Sequence, residues 1–387
     1  MRIAFYAPLK APDHPVPSGD RRMARALLSL LERLGHEVRT VSRLRSYDRD
    51  GDPLRQMRVR TLATRMADRL ARRLQRDGAP ELWVTYHCYH KAPDWLGPVV
   101  ARQLGIPYVV VEPSLAGKQT HGPWAIGHAG ARLAFAHADM LLAMTRDDLD
   151  GLTTTPGLSA EARLFPPFLD AAPFTAAARA RSAHRARLAA EHGLDETRPW
   201  LLCVAMMRAD VKRQSYLALA ETLGRVKEIP WQLVCVGDGP ARPEIEARLA
   251  GLGAGRVRCI GALAEPDLRP LYAAADLMVW PAFREAYGLA LLEAQAAGLP
   301  VIACREGGVG DIVADGETGL LVEDRDLGGL ARAIQDLLRD PDRRHGLAKA
   351  ARARIGAMHD LPAAARRLEL ALDEARRIHA LRQRRAA

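Results

Sequence analysis

A strand–loop–helix–strand pattern between positions 277 and 304 constrains the fold more than any other part of the sequence. Two apolar segments, Leu277–Trp280 and Pro300–Cys304, have the length and composition of buried strands. Between them, Gly288–Ala297 is rich in Ala and Leu, which are strong helix formers, and Gly298 followed by Pro300 ends the helix. The segment therefore predicts two buried strands joined through a helix.

The same alternation of strands and helices occurs in both halves of the chain. At the N-terminus, a strand over Arg2–Ala7, a loop, a helix over about Arg21–Leu34 and a strand over Glu37–Ser42 form a parallel βαβ unit. A chain of 387 residues is long enough for two domains of about 150–200 residues each. The sequence predicts an α/β protein with two doubly wound domains, over 1–170 and 200–360, joined by a partly helical connection over 171–199.

Composition indicates a cytoplasmic protein with aliphatic cores. Hydrophobic residues make up 48% of the chain and aromatic residues only 5%. No apolar run approaches the roughly 18 residues of a membrane span, and the N-terminus lacks the apolar core of a signal peptide. Four of the five cysteines lie in apolar strand-like segments and none forms a C-x-x-C pair, so neither a disulfide framework nor a zinc site is predicted.

Positive charge is concentrated in residues 55–76, which contain eight arginines and one acid, while the whole chain carries a net charge of +10. This segment predicts a basic amphipathic helix. Its apolar stripe is Leu62, Met66, Leu70 and Leu74, and the basic face consists of Arg58, Arg65, Arg69, Arg72 and Arg76. Two interpretations stay open: contact with an anionic membrane surface, or packing on the sheet with a solvated arginine face. Nucleic-acid binding is disfavoured because no aromatic residues or known module accompany the charge.

Two glutamates, Glu285 and Glu293, flank the helix start in the 277–304 segment. Eight helical residues span roughly 12 Å, whereas the paired carboxylates of glycosidases lie about 5–10 Å apart. The two groups therefore suit opposite ends of one long ligand better than acid–base catalysis at one bond. A helix N-terminus between them suits a phosphate, and the amides expected there are those of Ala286, Tyr287, Gly288 and Leu289. A ligand with hydroxyls at each end and phosphates in the middle is a nucleotide sugar.

The pattern Glu285-x7-Glu293, followed by Ala-Gly-Leu-Pro-Val-Ile at 297–302 and by Gly307-Gly308, resembles the family-4 retaining glycosyltransferases, also called glycosyl transferases group 1. The resemblance implies the GT-B fold, in which two Rossmann-like domains face a central cleft. It assigns acceptor binding to 1–170 and donor binding to 200–360, and it makes 361–387 a helix that crosses back to the first domain. It further implies that Glu285 contacts the donor sugar and that Glu293 contacts the ribose.

The same resemblance names further donor-site residues. Arg208 and Lys212 follow the apolar strand Trp200–Ala205 and would neutralise the diphosphate, with Arg213 as the alternative to Lys212. Together with Glu285 they are the predicted catalytic groups. The turn Gly237, Asp238 and Gly239 would lie near the donor, and Ile260 would meet the base through its backbone, which leaves the choice between UDP and GDP open. The family carries paired glycines in the first loop, whereas here Gly19 is followed by Asp20, so Gly19 is either a phosphate-binding residue or a simple turn glycine.

The predicted acceptor site lies at the carboxyl ends of N-terminal strands. His87 and His90 follow the strand over Leu82–Cys88, and Glu112 stands where many relatives place a histidine, with His128 as a candidate substitute. The alternative is an ordinary polar strand end. A metal site is not predicted, because the two histidines lack a third ligand at suitable spacing.

The resemblance implies a retaining glycosyltransferase, and the sequence predicts that it needs neither a metal ion nor a cofactor. It would move a sugar from a UDP- or GDP-sugar to a hydroxyl acceptor, such as a lipid-linked or cell-envelope glycan, by front-side attack. Two alternatives stay open. One is a sugar-nucleotide epimerase, which turns over donor without acceptor. The other is a non-catalytic nucleotide-sugar binding protein, which Asp20 in place of the second glycine keeps open.

Overall fold

The computed structural model describes residues 1–16 and 18–386, and these form two compact units. Unit 1 comprises residues from Met1 to Phe168 together with the C-terminal helix that begins at Leu361. Unit 2 comprises Leu169–Asp360. Each unit is built on a six-stranded, all-parallel sheet covered by helices.

In unit 1 parallel strands alternate with helices, which is the pattern of doubly wound sheets. The elements in chain order are β1 (Arg2–Tyr6), α1 (Gly19–Arg33), β2 (Glu37–Ser42), α2 (Pro53–Arg76), β3 (Leu82–Cys88), α3 (Gly97–Leu104), β4 (Tyr108–Pro113), α4 (Ala125–His137), β5 (Met140–Ala143), α5 (Arg146–Thr153), β6 (Glu161–Leu164) and α15 (Leu361–Ala386). The strand order is β2-β1-β3-β4-β5-β6. Strands β3 to β5 are almost wholly buried, as expected for strands covered by helices on both faces.

The arginine-rich helix α2 packs on unit 1 through small residues. Its buried face consists of Gln56, Ala63, Ala67, Leu70 and Ala71. The predicted apolar stripe is wrong in part, because Leu62 is 50% exposed while Met66 and Leu74 are only partly buried. The alanines replace the predicted residues because they let the helix approach α3 and the sheet closely. All five predicted basic residues, Arg58, Arg65, Arg69, Arg72 and Arg76, are exposed.

A buried carboxylate organises the core of unit 1 between β3 and α3. Asp94 is 1% exposed and accepts hydrogen bonds from the Thr85 hydroxyl at 2.5 Å and the Tyr108 hydroxyl at 2.9 Å. The backbone amides of Leu96 and Gly97, at the start of α3, each donate to its Oδ1 at 2.8 Å. Burial raises the pKa of Asp94, whereas these hydrogen bonds lower it. Asp94 therefore ties the start of α3 to two strands of the sheet, a role that sequence analysis did not assign to it.

Unit 2 has the same architecture, with a sheet of six parallel strands. Its elements are α6 (Ala172–Arg179), α7 (Arg181–His192), β7 (Trp200–Val204), α8 (Val211–Gly224), β8 (Gln232–Val236), α9 (Arg242–Ala250), β9 (Val257–Cys259), α10 (Glu265–Ala274), β10 (Leu277–Trp280), α11 (Leu289–Ala296), β11 (Val301–Cys304), α12 (Val309–Ile312), β12 (Gly319–Val322), α13 (Leu327–Arg339) and α14 (Pro341–Arg354). The strand order is β12-β11-β10-β7-β8-β9.

Residues 171–199, which sequence analysis assigned to an interdomain connection, form α6 and α7 within unit 2. Arg181 and Arg185 of α7 both bind the carboxylate of Asp276 at the start of β10, at 2.7 and 3.1 Å. These two ion pairs attach the connection to the sheet of unit 2.

The strand order of each sheet reverses at one point, and ligands of open α/β sheets bind outside the carboxyl ends of the strands at that point. In unit 1 the reversal lies between β1 and β3, and in unit 2 between β7 and β10. These two positions are where a binding site is expected in each unit.

All five cysteines are free thiols, and four of them, Cys88, Cys203, Cys235 and Cys304, are buried as predicted. Within residues 1–16 and 18–386, none of the helices has both the length and the apolar run needed to span a bilayer.

Candidate active site

At the reversal point of unit 2, a lysine and a glutamate from two different strand ends form an ion pair. Lys212 lies in the first turn of α8, after β7, and Glu285 lies in the loop after β10. The Lys212 ammonium contacts Oε2 of Glu285, and the Trp280 indole donates a hydrogen bond to the same oxygen at 3.2 Å. The two charged side chains are only 13% and 17% exposed. Two of the three predicted catalytic residues therefore meet at this point.

The loop that carries Glu285 has an unusual backbone conformation. Ala282 and Arg284 have φ values of 60° and 49°, which non-glycine residues adopt rarely and at some cost. A second loop holds it in place: the Gly308 amide donates to the Ala286 carbonyl at 2.7 Å. A Cβ at Gly307 would lie 2.2 Å from the carbonyl oxygen of Glu285, so only glycine permits this approach. The Gly307-Gly308 pair noted in the sequence thus supports the backbone of Glu285.

Helix α11 begins one residue later than the sequence predicted. Gly288 is its N-cap and has a φ of 77°, a left-handed conformation that separates the preceding loop from the helix. The amides of Leu291 and Leu292 donate to the Gly288 carbonyl. The amides of Leu289 and Ala290, in the first turn of α11, therefore have no hydrogen-bond acceptor within the helix.

The prediction that Ala286 and Tyr287 contribute amides to this helix N-terminus is wrong, because the left-handed Gly288 places both residues in the loop. Ala286 is exposed there and Tyr287 is 7% exposed. Any part that these two residues play in donor binding stays a prediction.

The turn Gly237-Asp238-Gly239 packs against the loop that follows β7. Met207 donates from its amide to the Asp238 carbonyl at 2.9 Å, and Ala241 donates to the Met207 carbonyl at 3.0 Å. A Cβ at Gly237 or Gly239 would lie 1.9 or 2.4 Å from a backbone oxygen of that loop. The two glycines are therefore required for the close approach of the β7 and β8 ends.

Ile260 follows β9 and is half-buried. Its amide already donates to the Cys235 carbonyl at 3.0 Å, and the neighbouring Gly261 carbonyl accepts from the Gly237 amide at 2.9 Å. Its proposed contact with the base stays a prediction, and the Ile260 amide is engaged within unit 2.

Glu293, the second glutamate of the pattern, is 2% exposed and accepts a hydrogen bond from the Tyr272 hydroxyl at 2.8 Å. Glu285, the first glutamate of the pattern, lies on the loop before α11 and not on the helix. The estimate of their separation from helical rise therefore applies only to residues 289–296. A ribose contact by Glu293 stays a prediction.

The remaining basic residues of the predicted diphosphate site have other partners in the structure. Arg208 is 49% exposed in its side chain and pairs with Asp210 at 3.0 Å. Arg213, the alternative to Lys212, forms a two-point ion pair with Glu244 on α9, with 2.5 Å between Nε and Oε2. Of the two candidates, Lys212 is therefore the one that contacts Glu285.

At the reversal point of unit 1, three residues from different elements form a second cluster, which we call the carboxylate–histidine cluster: Asp20, His87 and Glu112. Nδ1 of His87 lies 2.6 Å from Oδ1 of Asp20 and 3.6 Å from Oε1 of Glu112. His87 and Glu112 have φ values of 58° and 57°, so both adopt a left-handed conformation at the ends of β3 and β4. Burial alone lowers the pKa of His87, but the charges of Glu112 and Asp20 outweigh it and raise this pKa to about 9.

Two further histidines predicted for acceptor binding lie in a separate place in unit 1. His128 is not in a loop, as predicted, but in the first turns of α4, because that helix begins at Ala125. Its Nε2 lies 3.4 Å from the Thr120 hydroxyl. His90 packs edge-on against Trp124, and burial together with Lys91 and His128 lowers the pKa of His90 to about 4. Burial also lowers the pKa of His128, so both imidazoles are neutral at physiological pH.

The first residues of α1 lie next to the carboxylate–histidine cluster. Gly19 is the first residue of that helix and not part of the preceding loop, because Ser18 caps the helix by accepting a hydrogen bond from the Arg21 amide at 3.2 Å. Asp20, in the first turn, was treated only as a departure from the glycine pair. The contact between Asp20 and His87 was not predicted. The one indication in the sequence was that Asp20 lies near the start of a helix that follows a parallel strand, where open α/β sheets bind ligands.

Comparisons with known proteins bear on both units. Residues 198–340 match the family model described as Glycosyl transferases group 1. A D-inositol 3-phosphate glycosyltransferase from Rhodococcus jostii is 32% identical over 286 residues, which cover 70% of this chain and 62% of that relative. The region 198–340 belongs to the group 1 glycosyltransferase family. The matched region contains every predicted donor residue except Gly19.

A further relative and two solved structures are also similar to the chain. An alpha-D-kanosaminyltransferase from Streptomyces kanamyceticus is 32% identical over 183 residues, or 47% of each chain. A sucrose-phosphate synthase from Thermosynechococcus elongatus has a TM-score of 0.72 at 23% identity, covering 95% of this chain and 97% of its own. The Anabaena HepE protein in complex with UDP-glucose has a TM-score of 0.70 at 18% identity, covering 96% and 99%.

These structural likenesses confirm the predicted fold class, GT-B, with two Rossmann-like α/β units. The chain spans about 62% of the length of the Rhodococcus relatives that it matches.

Proposed function

We propose that this group 1 glycosyltransferase transfers a sugar from a nucleoside-diphosphate sugar to a hydroxyl acceptor. The observation that carries the proposal is the Lys212–Glu285 pair at the reversal point of the unit 2 sheet, within the region that matches the family. A cation and a carboxylate held side by side suit a phosphate next to a sugar hydroxyl, because the two groups recognise opposite ends of one glycosyl phosphate.

In the proposed donor complex, each group of unit 2 has one task. Lys212 and Arg208 neutralise the diphosphate, and the amides of Leu289 and Ala290 at the start of α11 bind a phosphate oxygen. Glu285 accepts hydrogen bonds from sugar hydroxyls, and Glu293 does the same for the ribose. For the donor to bind, Lys212 must share its charge between Glu285 and the diphosphate. The related HepE structures contain UDP and UDP-glucose, which favours a UDP-sugar as the first donor to test.

The proposed reaction retains the configuration at the anomeric carbon. The bond between that carbon and the leaving phosphate oxygen breaks while the acceptor oxygen bonds to the same face. The acceptor proton passes to the leaving diphosphate. Lys212, Arg208 and the α11 amides stabilise the negative charge that develops on that diphosphate. Because these protein groups supply the positive charge, we propose that the transfer requires no metal ion on the diphosphate.

The acceptor is assigned to unit 1. Its carboxylate–histidine cluster and the His90 and His128 pair provide hydrogen-bonding groups suited to a polyhydroxyl acceptor. Relatives named D-inositol 3-phosphate glycosyltransferase suggest a phosphorylated cyclitol as one acceptor class, and lipid-linked glycans are the other that we propose.

The test is a transfer assay with UDP- and GDP-sugars, each with and without an acceptor panel that includes inositol phosphates. We expect one donor to release its nucleotide diphosphate only in the presence of an acceptor. The anomeric proton coupling of the product, measured by NMR, is expected to match that of the donor. Conversion of the donor sugar without any acceptor would instead support the epimerase alternative, and inversion of the anomeric centre would contradict the retaining mechanism.

The exposed face of α2 favours a membrane surface as a further partner of the same enzyme. Leu54, Met57 and Leu62 are 59%, 48% and 50% exposed near the start of the helix, and the five arginines of the basic face are exposed along it. Apolar side chains beside basic ones on one helix suit the interface of an anionic bilayer. Such a contact would bring the enzyme to a lipid-linked acceptor on the cytoplasmic membrane.

We expect the protein to float with vesicles containing phosphatidylglycerol, at low salt more than at high salt, because each arginine near the surface contributes about 1 kcal/mol. Replacing Arg65, Arg69 and Arg72 by glutamine should abolish flotation. The matched control replaces Arg332, Arg339 and Arg343 of unit 2, which are exposed but not accompanied by large exposed apolar residues. Absence of flotation at low salt would contradict the membrane proposal and leave the transfer proposal untouched.

A further inference from the structure

The carboxylate–histidine cluster of unit 1 contains more ligand-type atoms at one point than hydroxyl binding requires. One donor atom from each of Asp20, His87 and Glu112 lies within 4.8 Å of the other two. We propose that Nδ1 of His87 and one carboxylate oxygen each from Asp20 and Glu112 bind a divalent transition-metal ion, such as Zn²⁺ or Mn²⁺. The proposal rests on unit 1 alone and does not depend on the transfer reaction.

The spacing of the three donor atoms suits such an ion. Zinc binds nitrogen and oxygen ligands at about 2.0–2.2 Å, so neighbouring ligands of a tetrahedral site lie roughly 3.3–3.5 Å apart. The two distances from Nδ1 of His87, 2.6 and 3.6 Å, lie on either side of that range. Small rotations of the Asp20 and Glu112 side chains would therefore form the site without any change in the sheet.

The charge of the cluster also calls for a cation. Two carboxylates face one imidazole, and Asp148 at the start of α5 adds a further negative charge to the surroundings of His87. Glu112 as a whole residue is only 8% exposed. One carboxylate oxygen of each acid, Oε2 of Glu112 and Oδ2 of Asp20, is buried and makes no hydrogen bond of good geometry. The Tyr86 hydroxyl acts on Glu112 as a neighbouring donor. A divalent ion bound among these side chains would balance the charge of the two carboxylates.

The backbone supports a functional role for two of the three ligands. His87 and Glu112 both hold left-handed conformations at adjacent strand ends, although neither is glycine or asparagine. Strained residues of this kind persist where the surrounding structure imposes a required side-chain direction. In this case the strain brings both side chains to Asp20.

The site would keep one coordination position open. The side chains alone of His87, Asp20 and Glu112 are 20%, 15% and 10% exposed, so solvent reaches the cluster. Three protein ligands with a fourth position for water or substrate is the arrangement of catalytic zinc sites. His87 and His90 have no third ligand nearby in the sequence, so no metal site was predicted there, but the strand order brings Asp20 and Glu112 to His87.

The test uses the full-length, tag-free protein after treatment with a chelator. Zn²⁺ binding is measured by isothermal titration calorimetry, and Co²⁺ binding by its visible absorption, which reports the coordination geometry. We expect one ion per chain. His87→Gln should abolish this binding, and Asp20→Asn and Glu112→Gln should each weaken it by at least about tenfold, since even groups outside the ligand sphere affect affinity by 10- to 100-fold.

A matched control is His379→Gln. His379 also contacts a buried aspartate, Asp139, at 3.1 Å, but its second neighbour there is Arg382 and not a carboxylate. Zinc affinity should be unchanged in this variant. Far-ultraviolet circular dichroism checks each fold, and Glu112→Gln, which keeps the side-chain volume, decides the matter if His87→Gln does not fold. Failure of the wild-type protein to bind either ion, or equal binding by wild type and the folded cluster variants, would overturn the proposal.

Discussion

Replacing Lys212 by methionine is expected to lower kcat/KM for the nucleotide sugar by about 100- to 1,000-fold, which corresponds to roughly 3–4 kcal/mol of lost transition-state stabilisation. Methionine keeps most of the side-chain length and removes the charge. The loss should be large because Lys212 is the only predicted diphosphate ligand that the structure places both in contact with Glu285 and largely away from solvent. Steady-state kinetics with the donor identified in the transfer assay provide the measurement.

Arg213→Ala is the matched control for this variant. Arg213 is the next residue in α8, carries the same charge, and pairs with Glu244 on the exposed surface of unit 2. We expect its kcat/KM to stay within about twofold of wild type, since exposed ion pairs contribute about 0–1 kcal/mol. Equal losses in the two variants would show that net charge, and not the Lys212–Glu285 pair, determines the rate.

The double variant Lys212→Met with Glu285→Gln separates stability from activity. Methionine alone leaves the Glu285 carboxylate largely buried without its cation, which should destabilise the protein by about 1–3 kcal/mol. Neutralising Glu285 as well should recover much of that stability and none of the activity. Recovery of activity would contradict a direct role of Lys212 in the reaction.

The largest loss of stability is expected for Asp94→Ala, which should lower the free energy of unfolding of unit 1 by about 3–5 kcal/mol. The change leaves the Thr85 and Tyr108 hydroxyls and two backbone amides without their acceptor, and each buried unsatisfied group costs about 1–3 kcal/mol. Urea denaturation of the purified variant, followed by circular dichroism, measures the effect.

Two controls bracket this prediction. Asp77→Ala removes an exposed carboxylate at the end of α2 and should change the free energy of unfolding by less than about 0.5 kcal/mol. Tyr108→Phe removes one donor to Asp94 and should cost about 1 kcal/mol. If Asp94→Ala were as stable as Asp77→Ala, the assigned role of Asp94 in joining α3 to the sheet would be wrong.

Much of the fold follows directly from apolar patterns. The strands Leu82–Cys88 and Leu277–Trp280 were predicted with the bounds that the structure has. Strands of a covered parallel sheet are buried on both faces, so they appear in the sequence as continuous apolar runs between turn residues. The fold class could therefore be predicted from the sequence.

The details that position side chains could not be predicted in the same way. The left-handed conformation of Gly288 delays the start of α11, and the sequence alone does not show whether this glycine precedes the helix or is its first residue. In α2, alanines replaced leucines on the buried face because packing distance, and not hydrophobicity alone, decides which face approaches the sheet. The local sequence therefore predicts that α2 is a helix, but not which of its residues face the core.

Clusters formed by the topology were the hardest to predict. Asp20 and His87 are 67 positions apart in the chain and meet because β1 and β3 are neighbours at the reversal point. A sequence pattern relates each residue only to its near neighbours in the chain. Asp20 was therefore noted only as the residue that stands in place of the family's second glycine. In contrast, Glu285 could be found from its pattern because Gly307 and Gly308, which hold its loop, follow closely in the chain.

The measurement that tests the account most directly is nucleotide binding by the folded wild-type protein. UDP, GDP, ADP and their common sugars are titrated by calorimetry and by thermal shift, alongside Lys212→Met, Glu293→Ala and Arg213→Ala. The account predicts 1:1 binding of one nucleotide class, weakened in the first two variants and unchanged in the third. A ligand at 100 times its dissociation constant should stabilise the protein by about 2.7 kcal/mol. If no nucleotide bound at millimolar concentration, or if the Lys212 and Arg213 variants behaved alike, the proposed donor site would be contradicted.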